Sequence, residues 1–226
     1  MMQRKGWLAL AVAAVVATPV AAAMTPAKLA ASPYTAGDYP QSASRNSEMG
    51  YARIRVIVSP QGKPIDCAVV DSSGTASLDA ASCAVMLKRG AFTPARDDNG
   101  QPAFAVHEQT VPWFIAFNAR DMRAREAQVP RPSDIDVEVN VASLPAGLVA
   151  PLAVIADVMV NNEGRVVQCA ADAGASVPPP ALARAACTQV GTLVKFEPAR
   201  DAGGTRVASV QQAKVVFLVE APAATK

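Results

Sequence analysis

Phe92-Thr93-Pro94-Ala95-Arg96-Asp97 decides how this chain is read, because it recurs as Phe196-Glu197-Pro198-Ala199-Arg200-Asp201, an offset of 104 residues. From this box the register runs forward without a gap. Gly100 falls on Gly204, Val106 on Val210, and Val111-Pro112-Trp113-Phe114-Ile115 on Val215-Val216-Phe217-Leu218-Val219. Backwards, Cys83 falls on Cys187 and Leu78 on Leu182. Further back the offset becomes 102, which aligns Val56 with Val158, Val58 with Val160, Gly62 with Gly164 and Cys67 with Cys169. The two-residue change falls in a loop, where insertions are tolerated best. The sequence therefore reads as two copies of one small domain, each of about 80 residues.

The first copy begins with Tyr51 to Val58, an alternating, β-branched run that predicts a strand. Pro60-Gln61-Gly62-Lys63 reads as a turn, with glycine available for positive φ, and Pro64 to Val70 as the return strand. Ser77 is the expected cap of a helix over about Leu78 to Lys88, with Asp79 in its first turn and Gly90 at its end. Leu78, Ser82, Val85 and Met86 share one face at helical spacing. Asp97-Asp98-Asn99-Gly100 is a second turn, and a third strand is predicted from about Phe104 to Phe117. The second copy repeats the pattern, with a hairpin at Ala153 to Ala170, a helix from about Ala181 and a last strand at Val207 to Val219. The expected fold is α+β: two tandem ββαβ domains, each a three-stranded antiparallel sheet with one helix on a face.

Outside the copies, residues 1–23 read as an export signal. Arg4 and Lys5 precede the apolar run Trp7 to Val16, and Ala21-Ala22-Ala23 supplies the small residues of a cleavage site. The alternative is an uncleaved inner-membrane anchor over residues 6–23, and membrane contact is expected only in that case. Residues 24–50 show no period and read as an irregular lead-in or tether. The assignments are 51–118 for the first domain, 119–136 for a charged, Pro-containing linker, 137–220 for the second, divergent domain and 221–226 for a disordered tail.

Four cysteines in an exported chain point to bridges, and four allow three connectivities. Equivalent domains solve a stability problem in the same way, so the repeat selects Cys67–Cys83 and Cys169–Cys187. By loop-closure entropy each bridge contributes about 3 kcal/mol, a large share for a small domain. No C-x-x-C is present, and one histidine cannot complete two metal sites.

Little else carries chemistry. His107 is the only histidine and reads as a solvent-facing strand residue. Ser72-Ser73-Gly74 lacks the setting of a nucleophile elbow. Asp97 and Asp98 read as turn residues. The matched Arg96 and Arg200 fit an ion pair, a helix cap or a ligand contact. A catalytic trio of Arg96, Asp97 and His107 meets none of the geometric requirements, so no enzyme, cofactor or metal is expected. Net charge is +2 from 21 Lys+Arg against 19 Asp+Glu. The basic residues form no stripe, which argues against nucleic acid. What remains is binding through sheet edges, because a three-stranded sheet leaves two of them open. The apolar third strand, with Val111, Trp113, Phe114, Ile115 and Phe117, can add a partner peptide as a fourth strand. Equally, these residues are plain core and the two copies, or two chains, pair edge to edge.

The first copy also resembles the C-terminal domain of TonB, the periplasmic part of a bacterial energy transducer. The matching residues are Tyr39-Pro40 with Ala43, Gly50, Gly62, Ser72-Ser73-Gly74, Leu78-Asp79, Phe92-Thr93-Pro94-Ala95 and Asn99-Gly100-Gln101-Pro102. They cover about residues 34–118, and the second copy keeps fewer of them. The resemblance implies the same ββαβ fold and a partner: the short extended segment of an outer-membrane receptor, or of another envelope protein, added to the last strand. Tyr39 and Pro40 join the strand residues above as candidate partner-binding positions. The implied role is a periplasmic binding protein in TonB-linked transmembrane transport. The alternative is a membrane-anchored transducer, although no histidine lies in the N-terminal apolar segment where that family usually carries one. The intact mass without reductant separates the two. A soluble chain starting near Met24 and short of two hydrogens per bridge is expected, whereas a full-length chain in the membrane would favour the transducer.

Overall fold

The computed structural model describes residues 24–115, 119–172 and 178–219. The elements run β1 (Lys28–Leu29), α1 (Gln41–Arg45), β2 (Gly50–Val58), β3 (Pro64–Asp71), α2 (Ala76–Arg89), β4 (Phe92–Thr93), β5 (Ala95–Arg96) and β6 (Pro102–Trp113). After α3 (Ala119–Glu126) and β7 (Val137–Val141) come β8 (Leu152–Val160), β9 (Val166–Asp172), α4 (Pro180–Leu193), β10 (Ala199–Arg200), β11 (Arg206–Val207) and β12 (Ser209–Val219). The fold is mixed α+β, and the order β-β-α-β occurs in both halves.

The repeated box is fixed by contact with the hairpin turn before it. Gly62 adopts φ 76°, and a Cβ built there would stand 2.2 Å from the carbonyl oxygen of Phe92. The Phe92 N–H in turn donates to the Gly62 carbonyl at 2.9 Å. Gly164 repeats the arrangement at φ 85°, with its virtual Cβ 2.6 Å from the Phe196 oxygen. Only glycine supplies both the positive φ and the close approach. Asp97 then closes the next turn by accepting from the N–H groups of Asn99 and Gln101, and Asp201 does the same for Gly203 and Thr205. Arg96 and Arg200 donate to the carbonyls of Gly100 and Gly204. Both arginines thus brace a turn.

Each helix covers its hairpin through one stripe. On α2 the buried residues are Leu78, Ser82, Val85 and Met86; on α4 they are Leu182, Ala186 and Val190. Cys67 and Cys83 stand at bonding distance, as do Cys169 and Cys187, so both helices are clamped to the second strand of their hairpin. Thr75, rather than Ser77, occupies the N-cap position of α2. Asp79 faces back to accept from the Ser73 N–H at 2.8 Å and from the Ser72 and Ser73 hydroxyls. Burial opposes ionisation of Asp79, but these hydrogen bonds outweigh it and hold the carboxyl below the usual range.

The two halves do not form separate sheets. β3-β2-β6-β12-β8-β9 is one continuous path, joined where Phe104 and Ala105 of β6 pair in parallel with Ser209 and Val210 of β12. Val210 belongs to the core beneath α2, whereas Ala213, Val215 and Phe217 belong to the core beneath α4. Alternation along β12 therefore puts α2 and α4 on opposite faces of the sheet.

The lead-in is not a tether. β1 pairs with β4, Thr25 and Arg96 exchange two backbone hydrogen bonds, and Met24, Ala27 and Ala43 are buried in the first core. Its aromatic and small residues dock individually on α2 and β6, so they carry no period by which sequence reveals them. His107 is also not solvent-facing. Its ring lies 5.1 Å from that of Phe92, its Nε2 meets Gln109 Oε1 at 3.2 Å, and burial pushes its pKa down. In urea unfolding, Gly62→Ala is expected to cost about 2–4 kcal/mol, from strain plus backbone displacement. Gly74→Ala, at positive φ but with nothing near its virtual Cβ, should cost about 1 kcal/mol.

Candidate partner-binding edge

β6 is central along part of its length and an edge along the rest. β2 pairs with it continuously from Ala105 to Trp113. On the other side β12 reaches only Phe104 and Ala105. From His107 to Trp113, among the described residues, no strand pairs with β6 on the side away from β2.

Pro112 shows which main-chain groups face outward. It has no N–H to give, yet it sits opposite Tyr51 without a break in register. It therefore occupies the alternating phase whose nitrogen points away from β2. Thr110 and Glu108 share that phase, so their N–H and C=O groups face the open side.

The sequence-predicted residues divide around this edge. Val111 and Trp113 are buried, with side chains in the core under α2. Trp113 Nε1 donates to Ser82 Oγ at 2.8 Å, and the rings of Tyr34 and Tyr39 meet the indole edge-on at 5.9 and 5.6 Å. Tyr34 also donates to the Ser82 carbonyl at 2.8 Å, and burial drives its phenol pKa up. Tyr39 donates to the Glu48 carbonyl, and Pro40 opens α1. Phe114 packs on Tyr51 at 5.0 Å, and Ile115 is exposed. Phe117 lies outside the described residues. Thus Tyr39, Val111 and Trp113 hold the strand in place, and main chain rather than these side chains is what the edge presents.

Beyond Ala105 and Val210 the strands β6 and β12 diverge around a cavity of about 390 Å³. Glu108 and Thr110 line one wall, Gln211 to Lys214 the other, and Arg131, Asp134 and Asp136 of the connecting segment also reach it. Glu108 accepts from Arg53 at 2.6 Å and Arg55 at 2.7 Å, and Arg55 also meets Glu197 of the second half at 3.2 Å. Arg53 donates to the Ser133 carbonyl at 3.0 Å, and Lys214 pairs with Asp134 at 2.9 Å. Sequence reading missed this ion-pair cluster, whose members lie far apart in the chain.

The second half has the equivalent edge on β12, and there it is covered. β7 lies parallel to it, with Val137 opposite Val215 and Val141 opposite Val219. Five residues read as the start of the second copy thus form an extra strand outside the ββαβ order.

Residues 35–113 match the family described as Gram-negative bacterial TonB protein C-terminal. The family is one of envelope transport and energy transduction rather than catalysis. No curated protein and no solved structure matches the chain. Among the described residues no helix is long and apolar enough to cross a membrane.

Asp136 reports on the cavity. Burial pushes its pKa up, although its carboxylate accepts from the Lys214 N–H at 2.7 Å and Arg53 lies nearby. A folded pKa above the unfolded value of 3.8 favours the fold below pH 3.8, and that contribution is lost as pH rises through the folded pKa. Asp136→Asn keeps an acceptor for Lys214 without the buried charge. It is therefore expected to resist urea better than the parent at pH 7, with the gap closing as pH falls through the raised folded pKa and gone below 3.8.

Proposed function

We propose that the open edge of β6 receives extended segments of outer-membrane receptors, or of other envelope proteins, by strand addition. The protein acts in the periplasm in TonB-linked transport. The observation that carries this reading is the unpaired main chain from His107 to Trp113, next to a strand paired throughout on its other side. The family match of residues 35–113 supports the class of partner. The second half is read as a divergent copy of the same domain, on the strength of the repeated glycine–phenylalanine contact and the repeated bridge position.

Strand addition draws affinity from main-chain hydrogen bonds and selectivity from alternate side chains. The flanking cluster of Arg53, Arg55, Glu108 and Glu197 carries both signs, so it fits a polar segment of either charge less by attraction than by register. A free edge of this kind also invites self-association. Pro112 and the ionic side chains beside it are the devices by which natural edges limit that.

Thr110→Pro removes an outward N–H while leaving the β2 ladder in phase. Binding to peptides copied from the periplasm-facing N-terminal segments of outer-membrane receptors should weaken at least about tenfold, the loss of roughly one or two well-made hydrogen bonds. Undiminished peptide binding by a folded Thr110→Pro protein would place the site elsewhere.

A further inference from the structure

β7 occupies on β12 the position that stays open on β6. The offset of 104 residues sets Val215 to Val219 on Val111 to Ile115, and β7 pairs with the whole of the former stretch in parallel. Its residues alternate as a strand ligand must. Val137 is buried and Val139 and Val141 pack on the core beneath α4, while Glu138 and Asn140 belong to the other face.

Two observations separate β7 from the structural strands. The first half completes its ββαβ unit with, among the described residues, no strand at the matching position, so the fold does not require one. In addition, among the described residues β7 is strand-paired on one side only. It pairs with β12 alone, its entry is fastened by Asp136 N–H to the Lys214 carbonyl at 3.0 Å, and the Lys214–Asp134 ion pair is exposed on the Asp134 side. A strand tethered in this way has a high effective concentration at its own site, yet it yields to a competitor that makes the same ladder.

We infer that Val215–Val219 of β12 is a second strand-acceptor site, kept closed by Val137–Val141 as a tethered ligand. It takes an extended segment with apolar residues at every second position and polar residues between them. The inference rests on the strand-accepting reading of this fold but concerns a different edge. Release of β7 converts the chain from one acceptor edge to two.

The probe is a labelled synthetic peptide of residues 136–142, titrated into the full chain by fluorescence anisotropy. Val139→Lys places a charge over the α4 core and expels β7. This variant should bind the peptide saturably, at least about tenfold more tightly than the parent. Val139→Lys combined with Thr110→Pro should bind equally well, because the β6 edge is not used. If the combined variant loses binding, the peptide sits on β6 and the inference fails while the β6 reading stands. If Val139→Lys keeps its far-ultraviolet spectrum and both bridges yet binds nothing, β12 is no acceptor.

Should Val139→Lys not fold, amide exchange of the unaltered protein decides. The amides of Val137–Val141 that face β12 should exchange at least about tenfold faster than those of β8, by local release. Exchange of β7 only together with β8 overturns the inference.

Discussion

The two-residue parallel ladder between Phe104-Ala105 and Ser209-Val210 is the constraint on which the rest depends. It joins two antiparallel sheets that would otherwise each end in an exposed last strand. Because the joined strands are parallel and the helices lie on opposite faces, the halves are related as if by a two-fold axis along the strands. The right-handed twist of strands and the bulk of two packed helices drive β6 and β12 apart after this short contact. The same pairing that makes one sheet therefore leaves both last strands with an unpaired stretch. One is filled by β7 and the other is left open.

The local chemistry that builds each half is repetitive and economical. A glycine with positive φ lets the turn touch a phenylalanine carbonyl, an aspartate closes the next turn, an arginine braces it, and a disulfide clamps the helix to the hairpin. These contacts place the last strand at a fixed height and phase. In the first half Ser82 adds a fixed point. It is fully buried, donates to Leu78, and accepts from Trp113, so the end of β6 is tied to α2 through an indole. The lead-in closes over that indole with Tyr34 and Tyr39. The edge is thereby held rigid from behind, which would lower the ordering cost of adding a strand there.

Much of this was legible in sequence for a physical reason. The box at Phe92 and Phe196, the glycines at 62 and 164 and the four cysteines all answer steric or covalent demands that few residues satisfy, so the demand is written in residue identity. Edge pairing is a main-chain property and leaves no such mark. Val137 to Val141 alternates like a core strand, and nothing in its composition says that it lies parallel to β12 instead of opening a hairpin. The role given to Trp113 divides in the same way: the residue marks the edge, but its side chain belongs to the core. Tyr39 was picked out by resemblance, while its partner Tyr34 went unnoticed for want of a period.

The central claim is that β6 between His107 and Trp113 is an unpaired, outward-facing edge in the free protein. Residue-resolved amide exchange tests it directly, in the presence and absence of a receptor-segment peptide. The account predicts that the Glu108 and Thr110 amides exchange quickly in the free protein and slow by at least about tenfold on peptide addition, while Gln109 and Val111, facing β2, are slow throughout. Slow exchange of Glu108 and Thr110 before any peptide is added would contradict it, because those groups would then already have partners.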